Sequence, residues 1–407
     1  MRILIHSINY APELTGIGKY NGEMAEWLAA HGHEVRVVTA HPYYPFWRVQ
    51  PGYEGGRYRR EIRNGVRVWR CPLWVPAQPS GLKRLMHLAS FAISALPVMF
   101  MQIFWRPDVV LVLEPPLFCS PAAWLVGRLS GAGCWLHIQD YEVDAAYAMG
   151  LLKSKGVQNL VNRVERMLLQ GFDRVSSLSG RMLDKALGKG VKPERLIPFP
   201  NWVDIRNIGP VGGANAYRQQ LNLPEDAVVA LYSGNMGNKQ GLELLAEAAG
   251  MLVGRTDIYF VFCGNGSGRA GLVEGCSGLA RVRFLELQPV ERLNELLGLA
   301  DMHLLPQRAD AADLVMPSKL TGMLASAKPV IATADSGTEL GVVVSNAGII
   351  VEPGDAAGFA RAIAALADEP EKRRRLGEAG RAYALRYLDK SVILEQFEQD
   401  LRLAANR

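Results

Sequence analysis

A glycine-rich turn that ends on one lysine and opens a helix can hold a diphosphate, and Leu231-Tyr-Ser-Gly-Asn-Met-Gly-Asn-Lys-Gln-Gly-Leu-Glu243 has that form. Gly234, Gly237 and Gly241 let the backbone approach an anion closely, the following helix aims unpaired N–H groups at it, and Lys239 adds a full positive charge. A second such turn follows at Asp313-Leu-Val-Met-Pro-Ser-Lys-Leu320. Pro317 suits the first turn of a helix, so the N–H groups near Ser318 and Lys319 would face outward beside the Lys319 ammonium. Taken singly, each turn reads equally well as an ordinary connection with a solvated lysine. Together they suggest a nucleoside diphosphate held from both sides. Walker A is missing, and Gly16-Ile-Gly18 followed by Lys-Tyr-Asn-Gly22 misses the dinucleotide spacing.

Such turns need parallel strands behind them, and short β-rich runs alternate with helical patterns throughout, the mark of parallel α/β sheets. One set of strands is expected between 2 and 199 and a second between 227 and 351, separated by Pro198-Phe-Pro-Asn-Trp-Val-Asp204 and a Gly/Pro/Asn-rich stretch to Asn215. The expected domains are therefore 1–204 and 205–380, with a terminal helix over 381–407 able to cross back to the first. Ligands bind outside the carboxyl ends of such strands, which selects the loops to inspect. In the second domain these include Gly264-Asn265-Gly266, small enough for a base or ribose to lie against, and Glu339, an acceptor for sugar hydroxyls or a helix cap. In the first they include Asn9–Gly18, with Gly16, Ile17 and Gly18, and His137-Ile-Gln-Asp140 with Glu142. His137 and Asp140 form the best polar pair there, although a strand-end histidine is more often structural.

Composition bounds the function class. The 407 residues are 49% apolar and 21% charged, as in a well-cored soluble protein of two domains. Five cysteines lie far apart without Cys-x-x-Cys pairing, and no His/carboxylate cluster has metal spacing, so neither a disulfide framework nor a metal site is indicated. The amino terminus is too short an apolar run for a secretory signal, which makes a cytoplasmic location the expectation. The net charge of +5 is modest and gives no nucleic-acid signature, but ten Lys or Arg against Glu54 and Glu61 between Arg48 and Arg106 make a basic patch.

The chain resembles the GT-B glycosyltransferases of family 4, and within them the WcaI-type colanic acid and exopolysaccharide enzymes. The residues that carry the likeness are Asn9-Tyr-Ala-Pro-Glu-Leu-Thr-Gly-Ile-Gly-Lys-Tyr20, Trp27–Val35, Leu136-His-Ile-Gln-Asp-Tyr-Glu-Val-Asp144, Phe199-Pro-Asn-Trp202, Tyr232–Gly237 with Lys239–Leu242, and Met316-Pro-Ser-Lys-Leu320. The resemblance implies two Rossmann-like domains facing a cleft, a nucleotide-sugar donor on the second and an acceptor on the first, and a retaining reaction without metal or other cofactor. It places Lys239 on the donor diphosphate and Ser318 and Lys319 on phosphate and sugar. It makes GDP-fucose the first donor to test among GDP- and UDP-sugars; a polyprenyl-diphosphate-linked saccharide is the acceptor that a peripheral membrane attachment would suit.

Two departures from the family pattern matter. Alignment on Ala327-Lys-Pro-Val330 puts Leu314 and Gly322 where the family has two glutamates, leaving Asp313 and Glu339 as substitutes, and Asn235 replaces an arginine often found in the glycine-rich turn. A sugar-nucleotide epimerase, a phosphorylase or a non-catalytic scaffold of a polysaccharide-synthesis complex are the competing readings. Finally, Leu85–Trp105 lacks Asp, Glu, Lys and Arg, yet Pro97 and its return to the next strand argue against a membrane span. A bent helix or hairpin, partly core and partly bedded in the anionic inner leaflet beside Arg57, Arg59, Arg60, Arg63, Arg67, Lys83 and Arg84, is weighed against a wholly buried helix. The first places the protein peripherally on the membrane's inner face.

Overall fold

Runs such as Val109–Glu114 and Val228–Ser233 are apolar up to their last residue because both of their faces are covered, and every residue in them is buried. In the computed structural model, which describes residues 1–14, 16–77, 81–148, 155–213, 215–237, 240–308, 317–335 and 337–405, these runs are strands of two separate sheets. The chain divides into two units, Met1–Pro200 with Leu394–Arg407, and Asn201–Ile393.

The first unit contains, in chain order, β1 (Arg2–His6), α1 (Gly16–Ala30), β2 (Glu34–Ala40), β3 (Arg59–Arg63), β4 (Val66–Cys71), α2 (Gly81–Met101), β5 (Val109–Glu114), α3 (Ser120–Ser130), β6 (Gly133–Ile138), α4 (Glu142–Ala148), α5 (Lys155–Gly171), β7 (Arg174–Ser177), α6 (Gly180–Gly188) and β8 (Leu196–Pro198). Its sheet runs β3-β4-β2-β1-β5-β6-β7-β8, and all neighbours are parallel except β3 with β4. Sequence reading missed β3. Its signal is Asn64-Gly65, both at positive φ, between two alternating runs, a two-residue hairpin turn. As an edge strand β3 is rich in arginine, and Arg70 opposite it is fully buried with its guanidinium on Glu61 and the Ala40 carbonyl.

The second unit continues with α7 (Ala216–Gln220), β9 (Val228–Ser233), α8 (Glu243–Met251), β10 (Ile258–Cys263), α9 (Arg269–Gly275), β11 (Val282–Leu285), α10 (Leu293–Leu299), β12 (Met302–Leu305), α11 (Ser318–Ala325), β13 (Val330–Thr333), α12 (Glu339–Ala347), β14 (Gly348–Val351), α13 (Ala356–Asp368) and α14 (Pro370–Tyr387). Its parallel sheet runs β11-β10-β9-β12-β13-β14. Strand order reverses at β9/β12 here and at β1/β5 in the first unit, so ligand sites are expected beyond those strand ends.

The last helix, α15 (Lys390–Ala405), joins the first unit from Leu394 onward rather than from residue 381. Arg381 belongs to the second unit because its guanidinium donates to the carbonyls of Ile205, Ile208 and Ala325. Further along, Phe397 stacks on Phe199 with centroids 4.0 Å apart and meets Trp135 edge-on, while Glu398 pairs with His33 at 3.0 Å. The same packing places the end of the first unit at Pro200.

Candidate active site

The two glycine loops of the second unit are one structure. The turn after β9 and the loop after β10 are joined main chain to main chain: Gly234 N donates to Cys263 O at 3.0 Å, Met236 N to Asn265 O at 2.9 Å, and Gly268 N to Met236 O at 2.7 Å. The approach is so close that a Cβ on Gly264 would lie 1.9 Å from the Gly234 carbonyl oxygen, and one on Gly266 2.6 Å from that of Met236. Both glycines also have φ near +150°, where side chains are strained. Polar side chains trim the pair: Tyr232 Oη donates to the Asn235 carbonyl at 2.6 Å, Asn265 Oδ1 accepts from Gly266 N at 2.7 Å, and Asn265 Nδ2 reaches Glu286 at 3.4 Å. Gly237 closes the described part of the turn by accepting from Gln240 N.

Lys319 enters this assembly from the first turn of α11, behind Pro317 and the exposed Ser318. Its Nζ donates to Gln240 Oε1 at 3.1 Å and lies 4.2 Å from the centre of the Tyr232 ring, while its Cδ lies 3.5 Å from where a Gly234 Cβ would be. Burial opposes its charge, with no carboxylate beside it among the described residues, and its pKa falls from the usual 10.5 to about 7. A cation held at the glycine turn, its charge opposed by burial, is one that an incoming diphosphate would stabilise. Lys239 and Asp313 lie outside the described residues.

Gln307 and Arg308, which open the loop after β12 that the strand-end rule selects but to which sequence reading assigned no individual role, complete the rim. Gln307 N donates to Thr333 Oγ1 at 2.6 Å and Thr333 Oγ1 donates back to the Gln307 carbonyl at 2.7 Å, locking the end of β12 onto β13. That latch places the Arg308 Cγ 3.4 Å from where a Gly241 Cβ would be, on the glycine turn itself. Its guanidinium is 3.4 Å from Glu243, an exposed pair of little energetic weight. The clue available in sequence was position: an arginine directly after the switch-point strand, in a chain that carries Asn235 in the glycine turn. Glu339 is not the cap of α12, since Thr338 Oγ1 accepts from Gly341 N at 3.0 Å. Its Oε2 is enclosed with no hydrogen-bond partner among the described residues, which leaves it available to a hydroxyl.

In the first unit the pairing of His137 with Asp140 is corrected. His137 is 2% exposed, its Nδ1 is 2.9 Å from Ser176 Oγ, and its ring meets Phe199 edge-on. Side chains alternate along β6, and this parity turns His137 into the face covered by α15. Burial pulls its pKa down to about 3, so it is a neutral core residue. His137→Ala is expected to cost about 2–4 kcal/mol of stability through the cavity and the orphaned Ser176 hydroxyl, with nucleotide affinity unchanged. Thermal melting beside nucleotide titration checks this; a stable variant with lost turnover would restore the histidine to the site.

Asp140 and Glu142 remain at the carboxyl edge of the first sheet. Glu142 Oε2 accepts from Leu117 N at 2.9 Å, its Oε1 is enclosed without a partner among the described residues, and its main-chain N–H reaches Glu114 Oε1 at 3.5 Å. Burial raises the pKa of Glu142, opposed by the Leu117 N–H and the Arg84 charge. Gly16, Ile17 and Gly18 open α1 on the same edge. There a Cβ on Gly18 would strike the Glu13 side chain at 2.6 Å, and Glu13 is tied to the main-chain N–H groups of Tyr43 and Tyr44.

Family models agree with this division. Residues 15–202 match a glycosyl transferase 4-like domain and 214–383 match glycosyl transferases group 1. The putative colanic acid biosynthesis glycosyl transferase WcaI of Escherichia coli K12 is 46% identical, over 99% of this chain and 100% of its own. Among solved structures, sucrose-phosphate synthase from Thermosynechococcus elongatus superimposes with a TM-score of 0.76 at 20% identity, covering 99% of this chain and 98% of that one. The Anabaena protein HepE, solved with UDP-glucose, does so at 0.70 and 15%, covering 99% of each. Two parallel-sheet Rossmann-like units, a full-length relative and both family models lead to one conclusion: the chain belongs to the glycosyl transferases group 1 family and is a glycosyltransferase of the GT-B fold.

Proposed function

We propose that the protein transfers a sugar, with retention of configuration, from a nucleoside-diphosphate donor to a lipid-linked saccharide in bacterial exopolysaccharide synthesis. The observation that carries the donor half is the joined pair of glycine loops with the Lys319 ammonium held against them. Breaking the glycosidic bond puts negative charge on a leaving diphosphate, and fixed donors aimed at developing charge are usually the largest catalytic contribution. Lys319, Lys239 and the main-chain N–H groups beside them supply those donors without a metal or other cofactor. Glu339 and the Gly264–Gly266 loop hold sugar hydroxyls and the nucleoside. Asp140, Glu142 and the start of α1 receive the acceptor.

In this reading GDP-fucose, suggested by the family resemblance, is the first donor to try, and a polyprenyl-diphosphate-linked acceptor would put the work at the cytoplasmic face of a membrane. The test is release of nucleoside diphosphate from a panel of UDP- and GDP-sugars with membrane-extracted acceptor. One donor should be consumed only when acceptor is present. Donor isomerised without acceptor would indicate an epimerase, and no turnover of any donor a non-catalytic scaffold.

Arg308→Ala is expected to weaken nucleoside diphosphate binding about three- to tenfold, as removal of one exposed charge-assisted contact should. Titration of GDP and UDP checks it. Unchanged affinity at low ionic strength would exclude Arg308 from the site.

A further inference from the structure

The helix layer on one face of the first unit is apolar on its outer side as well as its inner side. His6 of β1 meets Phe91 of α2, and Cys134 of β6 packs on Gly127 of α3; the register of β1, β5 and β6 puts His6, Val112 and Cys134 on one face, so α2 and α3 share it. Trp124 and Arg128 of α3 donate to the Gly171 carbonyl at the end of α5, which brings α5 alongside. The inner side of α2 is core, with Phe91, Ala95 and Met99 fully buried. A bilayer-crossing role, which the helix's length and composition would allow, is incompatible with this packing on a sheet.

The outward side is a different surface. Along α2, Leu82, Met86, Ile93 and Phe100 are exposed at helical spacing, and Phe104 in the turn that follows is 89% exposed. Leu125 and Leu129 continue the surface on α3, and Val157, Leu160, Val164 and Met167 form an exposed stripe along α5 at intervals of three and four. A soluble protein rarely leaves so large an apolar face to water. The unburied charges carried by these helices are basic. Lys83, Arg163 and Arg166 are exposed on them, Arg128 is exposed but paired with Asp173 at 3.4 Å, α2 and α3 contain no acidic residue, and the single acid of α5, Glu165, is buried on Lys189. Of the arginines first considered for this role, Arg63 and Arg67 are paired with Glu26 and Glu34. Arg60, reaching Met101 from β3, extends the basic margin.

We infer that the outer face of α2, α3 and α5 docks on an anionic lipid bilayer, the apolar stripes entering the headgroup boundary and the arginines and lysines meeting lipid phosphates. Apolar stripes flanked by basic residues alone fit a lipid surface of negative charge, whereas a second copy of this chain would bring the same positive charge to the same place. The face also reaches the proposed acceptor edge. Arg84, in the first turn of α2, lies close enough to Glu142, Tyr43 and Tyr44 for its charge to act on all three. A lipid-linked diphosphate could therefore pass from the bilayer margin to Arg84 while its saccharide reaches Glu142. This last step rests on the acceptor proposed above; the docking does not.

The test is sedimentation of the full chain with vesicles of phosphatidylcholine alone and with phosphatidylglycerol added, at low and high salt. The wild type should bind the anionic vesicles at least tenfold more tightly than the neutral ones, and lose most of that preference in high salt. Phe104→Asp combined with Met167→Asp, exposed positions at the turn before β5 and in the last turns of α5, away from Glu142, should reduce binding at least tenfold while melting temperature and nucleotide affinity stay at wild-type values. No vesicle binding at low salt would overturn the inference, as would equal binding by the double variant. Concentration-dependent dimerisation without vesicle binding would assign the face to a second copy instead. Loss of nucleotide binding by the wild type would count against the proposed donor, not against docking.

Discussion

Replacing Lys319 with alanine is expected to weaken nucleoside diphosphate binding about ten- to a hundredfold, the effect of about 1.5–3 kcal/mol for a charge-assisted hydrogen bond. The wild-type interaction carries a pH signature that the variant should lack. In the free protein the Lys319 pKa is lowered to about 7, so near neutrality roughly half the molecules hold it uncharged. A bound diphosphate favours the ammonium, so binding takes up a proton. Below pH 7 the site is already charged and affinity is flat with respect to this group. Above pH 7 affinity should fall by up to about tenfold per unit until the pKa of the bound form is reached. The linked effect on folding has the opposite slope. Between about 7 and the ordinary 10.5 the unfolded chain binds more protons than the folded one, so the nucleotide-free protein gains stability from this group as pH rises through that window. Titrations in two buffers of different ionisation enthalpy measure the proton directly. Equal heats in both buffers at pH 8, with the affinity of Lys319→Ala unchanged, would remove Lys319 from the site.

Gly264→Ala should have the largest effect on structure. The added carbon would lie 1.9 Å from the Gly234 carbonyl oxygen at φ +144°, and the obstacle is main chain that cannot rotate aside. Backbone strain of about 1–3 kcal/mol and overpacking of similar size add to about 3 kcal/mol or more unless the two loops separate. If they separate, stability is partly recovered and the diphosphate cradle is lost, so nucleotide binding should fail in either case. Gly278→Ala is the control, because that glycine also has positive φ but nothing within 4 Å of an added Cβ. It should cost about 1 kcal/mol and leave binding intact. A Gly264→Ala protein with wild-type melting temperature and nucleotide affinity would show that the loops are not joined as described.

How far the sequence disclosed this arrangement varied with the physics of each part. Buried parallel strands are continuous apolar runs, and a short glycine-rich turn between strand and helix has few alternatives, so the two sheets and the loops at Gly234, Gly264 and Lys319 were legible from local pattern. The edge strand β3 was hidden because its residues are mostly charged, and only Asn64-Gly65 marked its hairpin. His137 misled because the strand's end was visible while its parity was not: the face of β6 it occupies is fixed by α15, whose packing on Phe199 and Trp135 is a contact between distant parts of the chain. The segment Leu85–Trp105 showed apolar length without showing which side was core. Its division between buried Phe91 and exposed Phe104 depended on the sheet beneath it. Arg308 was overlooked for the same reason, since its place at Gly241 is set by the Gln307–Thr333 latch between two strands.

The most direct measurement of the donor site is hydrogen–deuterium exchange with and without saturating GDP or UDP. Slowed exchange should concentrate in the segments 233–241, 264–268 and 317–321, which carry the glycine loops and Lys319, and should disappear in Lys319→Ala at the same nucleotide concentration. Protection confined to the first unit, or none at a concentration where calorimetry shows binding, would contradict the placement of the donor diphosphate between the glycine loops and Lys319.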